Sequence, residues 1–260
     1  MFTRFFFFIS LTLFTACGSS SSSKDTQNIK TSELYTTALF DDFNYNDQTI
    51  WQSADWANGT PFLNAWCPDQ IDFNKSILTI SLQQKDCHSR SYASGEYRTY
   101  NTYKYGRYST RFQASEVNGT ITSFFTYTGP AEGTEWDEID IEIIAKDTTK
   151  VQFNYWRNAQ EHPKVFDLGF DASKEMHTYS FIWHKDYIKY YVDEKLLYTV
   201  YENHLEDNNS LPVNAGKIMI NMWAATGIDQ WSGSYPLGTT STAKYDWVKY
   251  ESFEEQTSEL

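Results

Sequence analysis

The chain has 260 residues, of which 18% are aromatic, and its formal net charge is −13. This length suits one large domain or two small ones, and all-β domains often reach it. The acidic charge excludes the basic footprint of a nucleic-acid-binding protein, disfavours anionic lipid and acidic polysaccharides as partners, and is compatible with a neutral ligand.

The first residues, MFTRFFFFISLTLFTAC, have the pattern of an export signal. Arg4 supplies a positive start, residues 5–14 form an apolar run, and Thr15 and Ala16 are small residues before a cleavage point. The apolar run is shorter than the ~20 residues that a transmembrane helix needs. We therefore predict a signal peptide at residues 1–16 and an exported protein, in preference to a buried N-terminal helix.

Small residues directly before Cys17 resemble the bacterial lipoprotein signal, although Phe14 stands where that pattern usually has Leu. Residues 17–34 are serine-rich and polar, which is typical of a flexible tether. We predict a lipidated Cys17 and a membrane-anchored lipoprotein at the cell surface or in the periplasm. The alternative is an ordinary secreted protein. The lipid anchor is the one membrane contact that we expect.

Two further cysteines fit an oxidising compartment. If Cys17 carries lipid, Cys67 and Cys87 remain as an even pair. The segment between them has the pattern of a hairpin that turns near residues 74–76, so its ends could meet. We predict a disulfide between Cys67 and Cys87, and the alternative is two free thiols.

Short alternating segments, separated by turn residues, continue from about residue 39 to residue 250. They are rich in β-branched and aromatic residues, as in SILTISL, TSFFTYTG, TKVQFNYW, KIMINMW and AKYDWVKYES. This spacing predicts an all-β sandwich or jelly roll of antiparallel sheets. We set the domain at residues 35–254 and expect residues 255–260 to be frayed.

The stretch EWDEIDIEII predicts a strand with isoleucine on one face and Glu138, Asp140 and Glu142 on the other. Glycoside hydrolysis needs two carboxyl groups, one protonated and one ionised. On a flat strand the Cα atoms of Glu138 and Glu142 would be about 13 Å apart, so this chemistry requires a sheet that curves into a concave cleft. Clustered carboxyls should have separated pKa values, with a raised one for the acid and a lowered one for the nucleophile.

Other interpretations of these acids are an acidic surface strand and a calcium site. Calcium sites usually draw their ligands from a loop that contains Gly, and this stretch has neither feature. Two other strands also favour a sugar cleft, because they place polar and large aromatic side chains opposite an apolar face. These side chains include Asn154 and Trp156 on one strand, and Asn221 and Trp223 on the other. Trp stacks on sugar rings, and Asn can hydrogen-bond to hydroxyls.

The motif EIDIE resembles the catalytic signature of glycoside hydrolase family 16. The longer runs SFFTYTGPAEGTEWDEIDIE, KDTTKVQFNYW, LGFDASK and AKYDWVKY are similar to the bacterial lichenases, which are endo-β-1,3-1,4-glucanases. The resemblance covers about residues 39–252 and implies a curved β-sandwich jelly roll of two antiparallel sheets with a concave substrate cleft. It further implies a retaining mechanism, with Glu138 as nucleophile, Glu142 as acid/base and Asp140 assisting the nucleophile.

The resemblance also implies substrate contacts and a metal site. Each aromatic residue among the contacts could instead be a core residue. The substrate-contacting positions are Asn58, Phe62, Glu96, Arg98, Phe125, Tyr127, Trp136, Asn154, Trp156, Asn221, Trp223 and Trp231. Asp246 matches an Asp that often binds a structural Ca²⁺ in the family, and the alternative is a plain strand residue. No cofactor is expected for catalysis.

The chain departs from the lichenase pattern at several positions. The disulfide cysteines of the lichenases fall near Ala65 and Ser94, so a Cys67–Cys87 bridge would be a relocated replacement. Glu132 stands where His is common near the site, which adds negative charge. The signature has no residue inserted before its last Glu, which favours mixed-linkage glucan over pure β-1,3-glucan.

Together the residues and the resemblance imply a monomeric, retaining endo-glycosidase that cleaves β-1,4 bonds in mixed-linkage β-1,3-1,4-glucan. Its partner would be a neutral β-glucan polysaccharide, with no nucleic acid involved. The alternatives are a laminarinase or another neutral β-glucan hydrolase of the same family, and a non-catalytic glucan-binding lectin.

Overall fold

Eighteen β-strands make up most of residues 34–204 and 210–254, which are the residues that the structure, a computed structural model, describes. Helical structure in these residues is limited to three short 3-10 turns and the four-residue helix α1 (Asp229–Ser232). The strands in chain order are β1 (Tyr35–Asp41), β2 (Trp51–Ser53), β3 (Ala65–Trp66), β4 (Ile71–Asn74), β5 (Ile77–Cys87), β6 (Arg90–Ser94), β7 (Glu96–Tyr103), β8 (Gly106–Gln113), β9 (Thr120–Thr128), β10 (Asp137–Ile144), β11 (Lys150–Arg157), β12 (Gln160–Glu161), β13 (Lys164–Asp167), β14 (His177–His184), β15 (Tyr187–Val192), β16 (Lys195–Tyr201), β17 (Gly216–Ala224) and β18 (Ser241–Phe253).

The strands form two sheets. The ten-stranded sheet has the order β16-β15-β14-β8-β18-β5-β6-β3, with β1 paired to β18 and β4 paired to β5. The eight-stranded sheet has the order β12-β11-β10-β9-β17-β7-β2, with β13 paired to β11. Every described strand pair is antiparallel except the short pair β3–β6. The prediction of an all-β fold with two antiparallel sheets is thus confirmed.

Strand β18 lies in the middle of the ten-stranded sheet. One of its edges pairs with β8, and the other pairs first with β5 and then with β1. In the pairing with β1, Tyr35 lies opposite Phe253. The register with β8 shifts between Tyr245 and Trp247, so this irregularity brackets Asp246. Strands from both ends of the described chain therefore meet in one ladder.

The hydrophobic core is built from the inward faces of both sheets. Ile139, Ile141 and Ile143 of β10 are fully buried, as their alternation predicts. Across the core, the Phe153 ring of β11 stacks on the Tyr190 ring of β15, with centroids 4.6 Å apart. Burial of one such side chain contributes about 1.5–3 kcal/mol, so the isoleucines stabilise the strand that carries the acids.

The predicted hairpin and disulfide are both present. Strand β4 pairs with β5 through a tight turn at Lys75 and Ser76, which both have positive φ. Beyond the hairpin, the chain brings Cys67 and Cys87 together as a disulfide with a Cα–Cα distance of 6.7 Å. The bridge closes a loop with a sequence separation of 20 residues, and it ties the start of this hairpin to the end of β5.

Several sequence predictions lie outside the described residues. These are the signal peptide at residues 1–16, the lipidated Cys17, the tether up to residue 33 and the frayed tail at residues 255–260. Within the described ranges, no helix is long and apolar enough to cross a membrane.

Candidate active site

The three acids of β10 lie on the face of the eight-stranded sheet that points away from the isoleucine core. Asp140 is nevertheless only 4% exposed, and Glu138 and Glu142 are partly buried. A flat, solvated face would leave such side chains open to water. Their burial indicates that this face is recessed, which is the setting expected for a substrate cleft.

The register of the neighbouring strands surrounds each acid with one residue from β11 and one from β9. Residues directly opposite each other in a sheet have side chains close enough to interact. In these pairs, Glu138 lies between Trp156 and Tyr127, Asp140 lies between Asn154 and Phe125, and Glu142 lies between Gln152 and Ser123. The sheet thus places four of the predicted substrate-contacting residues next to the acids of β10, together with Gln152 and Ser123.

Trp136 holds the carboxylate of Glu138. Its indole nitrogen donates a hydrogen bond to Oε2 of Glu138 over 2.6 Å. The Trp136 ring stacks on Trp156 at a centroid distance of 4.8 Å, and the edge of Tyr127 meets it at 5.9 Å. The donor is therefore held by two neighbouring rings, and both rings belong to the predicted cleft.

Glu142 is held by a different pair of residues. The side-chain nitrogen of Gln152 donates to Oε2 of Glu142 over 2.8 Å. The indole nitrogen of Trp231 in α1 donates to Oε1 of Gln152 over 3.0 Å. Each glutamate of β10 is thus supported by its own tryptophan, directly for Glu138 and through Gln152 for Glu142.

Burial dominates the electrostatics of the three acids. It raises the pKa of Glu138 to about 7, although hydrogen bonds from Trp136 and Asp140 act in the opposite direction. Burial, with the charge of Glu138, also raises the pKa of Glu142 to about 7. Burial and the charges of both glutamates raise the pKa of Asp140 well above its usual range.

The expected lowered pKa for the nucleophile is therefore wrong, because desolvation outweighs the hydrogen bonds that favour the ion. Burial and the charges of Glu138 and Glu142 favour the protonated form of Asp140, which shares a hydrogen bond with Glu138. Glu138 and Glu142 titrate together near neutrality, so one of them can be ionised while the other is protonated. That is the state that acid-assisted nucleophilic attack needs.

A charge network lies on strand β7, which β9 and β17 separate from β10 in the same sheet. Arg98 donates to Oε1 of Glu132 over 3.0 Å and lies 3.7 Å from Oε1 of Glu96. Asn221 of β17 donates to the other oxygen of Glu96 over 3.1 Å. The Arg98 guanidinium also lies 5.1 Å from the ring centroid of Trp56. The structure therefore joins the predicted residues Glu96, Arg98 and Asn221 into one polar group, and the charge of Glu96 contributes to the raised pKa of Glu138.

Three polar side-chain atoms in this part of the sheet have no hydrogen-bond partner in the described chain. Oδ1 of Asn221, Oε2 of Glu132 and Oγ of Ser123 are buried and have no hydrogen-bond partner among the described residues. Buried polar atoms are normally paired, so unpaired ones beside a cleft are suited to sugar hydroxyls.

An aromatic cluster borders the cleft near α1. The ring of Phe62 lies 4.5 Å from that of Trp223, and Trp223 lies 5.9 Å from Trp231. Trp66 packs behind Phe62 at 5.7 Å. Phe62, Trp223 and Trp231 therefore pack against one another or against Trp66. Packing in the core was the alternative to substrate contact that the sequence left open for each aromatic residue.

Two predicted contacts have structural partners of their own. The backbone oxygen of Asn58 accepts a hydrogen bond from Arg90 over 2.7 Å, which holds the loop between β2 and β3. The side-chain oxygen of Asn154 accepts from the backbone nitrogen of His162 over 2.8 Å. Asn154 still lies directly opposite Asp140.

The predicted calcium site has a competing partner. Asp246 forms an ion pair with the guanidinium of Arg111, so a cation at this carboxylate would have to displace Arg111. Within residues 34–204 and 210–254, no group of three or more acidic, His or Cys side chains could hold a metal ion. The calcium site at Asp246 stays a prediction.

Sequence reasoning missed two residues of the site. Gln152 shares a strand face with Asn154 and Trp156, and that alternation could have identified it as a partner for an acid. Trp56 is an exposed Trp in a loop two residues before Asn58. Its position was a signal, because large aromatic residues in loops often contribute to binding.

Comparisons with known proteins agree with this geometry. The family model described as "Glycosyl hydrolases family 16" matches residues 50–249. A Beta-glucanase of Acetivibrio thermocellus is 44% identical over 214 residues, covering 82% of this chain and 61% of that protein. A Beta-glucanase of Bacillus subtilis strain 168 is 44% identical over 215 residues, covering 82% of this chain and 86% of that protein.

A solved structure is similar over the same region. The structure of a prokaryotic beta-1,3-1,4-glucanase (lichenase) derived from a mouse hindgut metagenome is 43% identical and has a TM-score of 0.77. The match covers 82% of this chain and 97% of that one. This likeness confirms the predicted jelly-roll fold. The chain spans only about three-fifths of the length of the Acetivibrio thermocellus proteins.

Proposed function

Because the chain belongs to glycosyl hydrolase family 16, we propose that it is a retaining endo-glycosidase that cleaves β-1,4 bonds in mixed-linkage β-1,3-1,4-glucan. One observation carries the proposal. Glu138 and Glu142 lie on one recessed strand face, and both have a pKa of about 7. Two such groups can supply a carboxylate and a carboxylic acid together at neutral pH.

In the first step, Glu138 attacks the anomeric carbon while Glu142 gives its proton to the glycosidic oxygen. The bond between the anomeric carbon and that oxygen breaks, and a covalent glycosyl-enzyme forms. In the second step, Glu142, now ionised, takes a proton from water. The water oxygen attacks the anomeric carbon and Glu138 leaves as a carboxylate, which restores the starting state with the anomeric configuration retained.

Asp140 assists the nucleophile through a hydrogen bond, because burial and the charges of Glu138 and Glu142 raise the pKa of Asp140 and so favour its protonated form. Its proton lies in a hydrogen bond with Glu138, and this bond favours the ionised form of Glu138. The Trp156 side chain hydrogen-bonds to Asp140 from β11. A proton-donating Asp140 can therefore stabilise Glu138 as an ion before attack and as a leaving group in the second step.

The substrate assignment rests on the relatives and on the shape of the signature. The relatives reported above are named Beta-glucanase or beta-1,3-1,4-glucanase (lichenase). The four-residue step from Glu138 to Glu142 on an uninterrupted strand also favours mixed-linkage glucan. A laminarinase is not favoured by these relatives, and a lectin would not need the paired glutamates.

The test is an activity assay on lichenan, barley β-glucan and laminarin, with linkage analysis of the products. We expect reducing sugar from the two mixed-linkage glucans, loss of β-1,4 bonds and a β-anomer as the first product in ¹H NMR. Glu138→Gln and Glu142→Gln should each lower the rate by roughly 10²–10⁴-fold or more. Glu116→Gln, which changes an exposed carboxyl, should keep the wild-type rate.

Three outcomes would contradict the proposal. Hydrolysis of laminarin alone would favour a laminarinase. Binding of lichenan with no release of reducing sugar would favour a lectin. Normal turnover by Glu138→Gln or Glu142→Gln would remove those residues from the mechanism.

A structural Ca²⁺ at Asp246 is a finer part of the proposal. Asp246 would be its carboxylate ligand, and the ion would stabilise the bulged part of β18 without taking part in catalysis. The melting temperature should rise when millimolar Ca²⁺ is added to EDTA-treated protein, and Asp246→Asn should abolish the rise. Equal melting temperatures with and without Ca²⁺ would show that the protein has no stabilising Ca²⁺ site.

Export, lipidation at Cys17 and a monomeric state complete the proposal. The signal-like N-terminal sequence supports the first two. Membrane fractionation of cells that express the full chain or Cys17→Ser would test the anchor, because only the full chain should follow the membrane. Light scattering of the purified protein would test the monomer.

A further inference from the structure

A chain of two hydrogen bonds leads from helix α1 to Glu142. The indole nitrogen of Trp231 donates to Oε1 of Gln152, and the side-chain nitrogen of Gln152 donates to Oε2 of Glu142. Trp231 and Gln152 are 79 residues apart in sequence, so the tertiary fold alone brings them together.

The chemistry of the partners fixes the direction of this chain. An indole N–H can only donate a hydrogen bond, so the atom of Gln152 that faces Trp231 must be the carbonyl oxygen. The amide nitrogen must then face Glu142. Without such a neighbour, the oxygen and nitrogen of a Gln side chain can exchange places by rotation. The hydrogen bond from Trp231 therefore orients the Gln152 amide so that its nitrogen donates to Glu142.

Trp231 is well placed to hold that orientation. Its ring packs against Trp223 of β17, and its backbone nitrogen donates to the carbonyl oxygen of Ile228. Gln152 is itself buried and lies directly opposite Glu142 in the β10–β11 ladder. Both members of the chain are thus fixed by packing as well as by their hydrogen bonds.

We propose that Trp231 is a positioning residue for the general acid. It orients Gln152, and Gln152 keeps Oε2 of Glu142 as a hydrogen-bond acceptor, so that the transferable proton is carried by Oε1. This inference rests on the proposed function. It assigns to Trp231 a role beyond contact with sugar, and it assigns to Gln152 the role of linking Trp231 to Glu142.

The same geometry serves both steps of the reaction. While Glu142 is an acid, the Gln152 donor blocks protonation of Oε2. After proton transfer, that donor stabilises the carboxylate that will activate water. In agreement, the hydrogen bond from Gln152 lowers the pKa of Glu142, against burial and the charge of Glu138, which raise it.

Few other charges face Glu142. Glu138 and Asp140 lie on its own strand, and Glu161 of β12 acts from the far side of β11. The charges of Glu138 and Glu161 raise the pKa of Glu142, and the charge of Glu142 in turn raises the pKa of Asp140. Ser123, its neighbour on β9, is uncharged. No cation contributes to the pKa of Glu142 among the described residues, so the donor from Gln152 is the principal group that opposes burial.

The test measures the titration of Glu142 directly. ¹³C NMR of protein labelled at the Glu side-chain carboxyl carbon follows each carboxyl, and Glu142→Gln identifies the signal of Glu142. The variants are Gln152→Leu, which removes the donor, and Trp231→Phe, which keeps the ring but removes its N–H. Trp223→Phe is the matched control, because Trp223 packs on Trp231 while the hydrogen bond to Oε1 of Gln152 comes from Trp231.

We expect Gln152→Leu to raise the pKa of Glu142 by roughly one pH unit, the scale of one hydrogen bond to a charged group. Trp231→Phe should shift it in the same direction, and the double variant should shift it no further than Gln152→Leu alone, because Trp231 acts through Gln152. Trp223→Phe should leave it unchanged. The basic limb of the pH profile of kcat/KM should move with the same sign.

An unchanged titration in Trp231→Phe would overturn the proposal, as would additive shifts in the double variant. A change in KM without a shift in titration would reduce Trp231 to a sugar-stacking residue. If Gln152→Leu does not fold, Trp231→Phe alone decides the outcome. Because NMR titration needs no substrate, it can support or overturn this inference even if no β-glucan is hydrolysed.

Discussion

The indole nitrogen of Trp136 lies 2.6 Å from Oε2 of Glu138, two residues further along the chain. Trp136 stands just before β10, so it reaches its partner without any other strand. This hydrogen bond opposes the burial that raises the pKa of Glu138 to about 7. The pair therefore influences how much of Glu138 is ionised in mildly acidic solution.

The first prediction concerns Trp136→Phe. Loss of the donor should raise the pKa of Glu138, so the acid limb of the pH profile of kcat/KM should move to higher pH. Relative to the wild type at the same pH, the activity of Trp136→Phe should be lowest at pH 5–6 and closer to the wild-type value near pH 8. Tyr127→Phe is the control, since it changes the same aromatic group without removing the donor to Glu138. An acid limb that stays in place would contradict a role for this bond.

The second prediction concerns stability and pH. The pKa of Glu142 in the folded protein is about 7, above the value of about 4.3 in an unfolded chain. The folded state therefore binds this proton more tightly, and the resulting stability is present below the unfolded pKa and lost as pH rises through 7. Glu142→Gln cannot ionise, so it should be more stable than the wild type by roughly 1–3 kcal/mol at pH 8.

Urea denaturation at pH 4.5 and pH 8 measures this difference. The free energy of unfolding of Glu142→Gln should exceed that of the wild type by more at pH 8 than at pH 4.5. Glu116→Gln controls for the removal of one negative charge, because its carboxyl is exposed. An equal difference in free energy of unfolding at both pH values would show that ionisation of Glu142 does not destabilise the fold.

The third prediction concerns the Cys67–Cys87 bridge. In the chain-entropy model, a loop of this length stabilises a fold by about 3 kcal/mol, so Cys67→Ala/Cys87→Ala should lower the melting temperature by roughly 6–12 °C. Both sulfurs belong to a small cluster that is separate from the acids, so kcat/KM should stay near the wild-type value at 25 °C. Reductant should lower the melting temperature of the wild type alone.

The fourth prediction concerns the network around Arg98. Arg98→Leu removes the cation shared by Glu96 and Glu132, and it should destabilise the fold by about 3–5 kcal/mol because the buried Glu96 and the partly buried Glu132 lose their partner. Glu132→Gln keeps an acceptor for Arg98 and should cost only about 1 kcal/mol. Urea denaturation of both variants makes the comparison. Equal, small effects would mean that the network contributes little to stability.

Alternation along the chain was sufficient to predict the strand type and the faces of β10. The isoleucines at 139, 141 and 143 are fully buried, as a period of two requires. The position of the disulfide also followed from sequence, because the hairpin between β4 and β5 has a clear turn signal. Both features depend on neighbours close in sequence.

Pairings between distant segments could not be predicted in this way. The contact of Trp231 with Gln152 depends on where α1 meets β11, and the contact of Arg98 with Glu132 depends on a loop after β9. Neither is encoded by a local period. The pKa of Glu138 was misjudged for a related reason, since the degree of burial depends on the whole sheet rather than on its neighbours in the strand.

The position of β18 has a consequence for how fast the protein folds. Its ladder needs β8 on one edge and β5 and β1 on the other, so Tyr35 must find Phe253 across more than two hundred intervening residues. Contacts of such long range slow folding, because loop closure costs entropy before any contact forms. Until β18 docks, β1, β5 and β8 each lack a central partner and present unpaired edges that invite aggregation. The strand that completes the sheet opposite the acids is thus expected to govern both the folding rate and the yield of soluble enzyme.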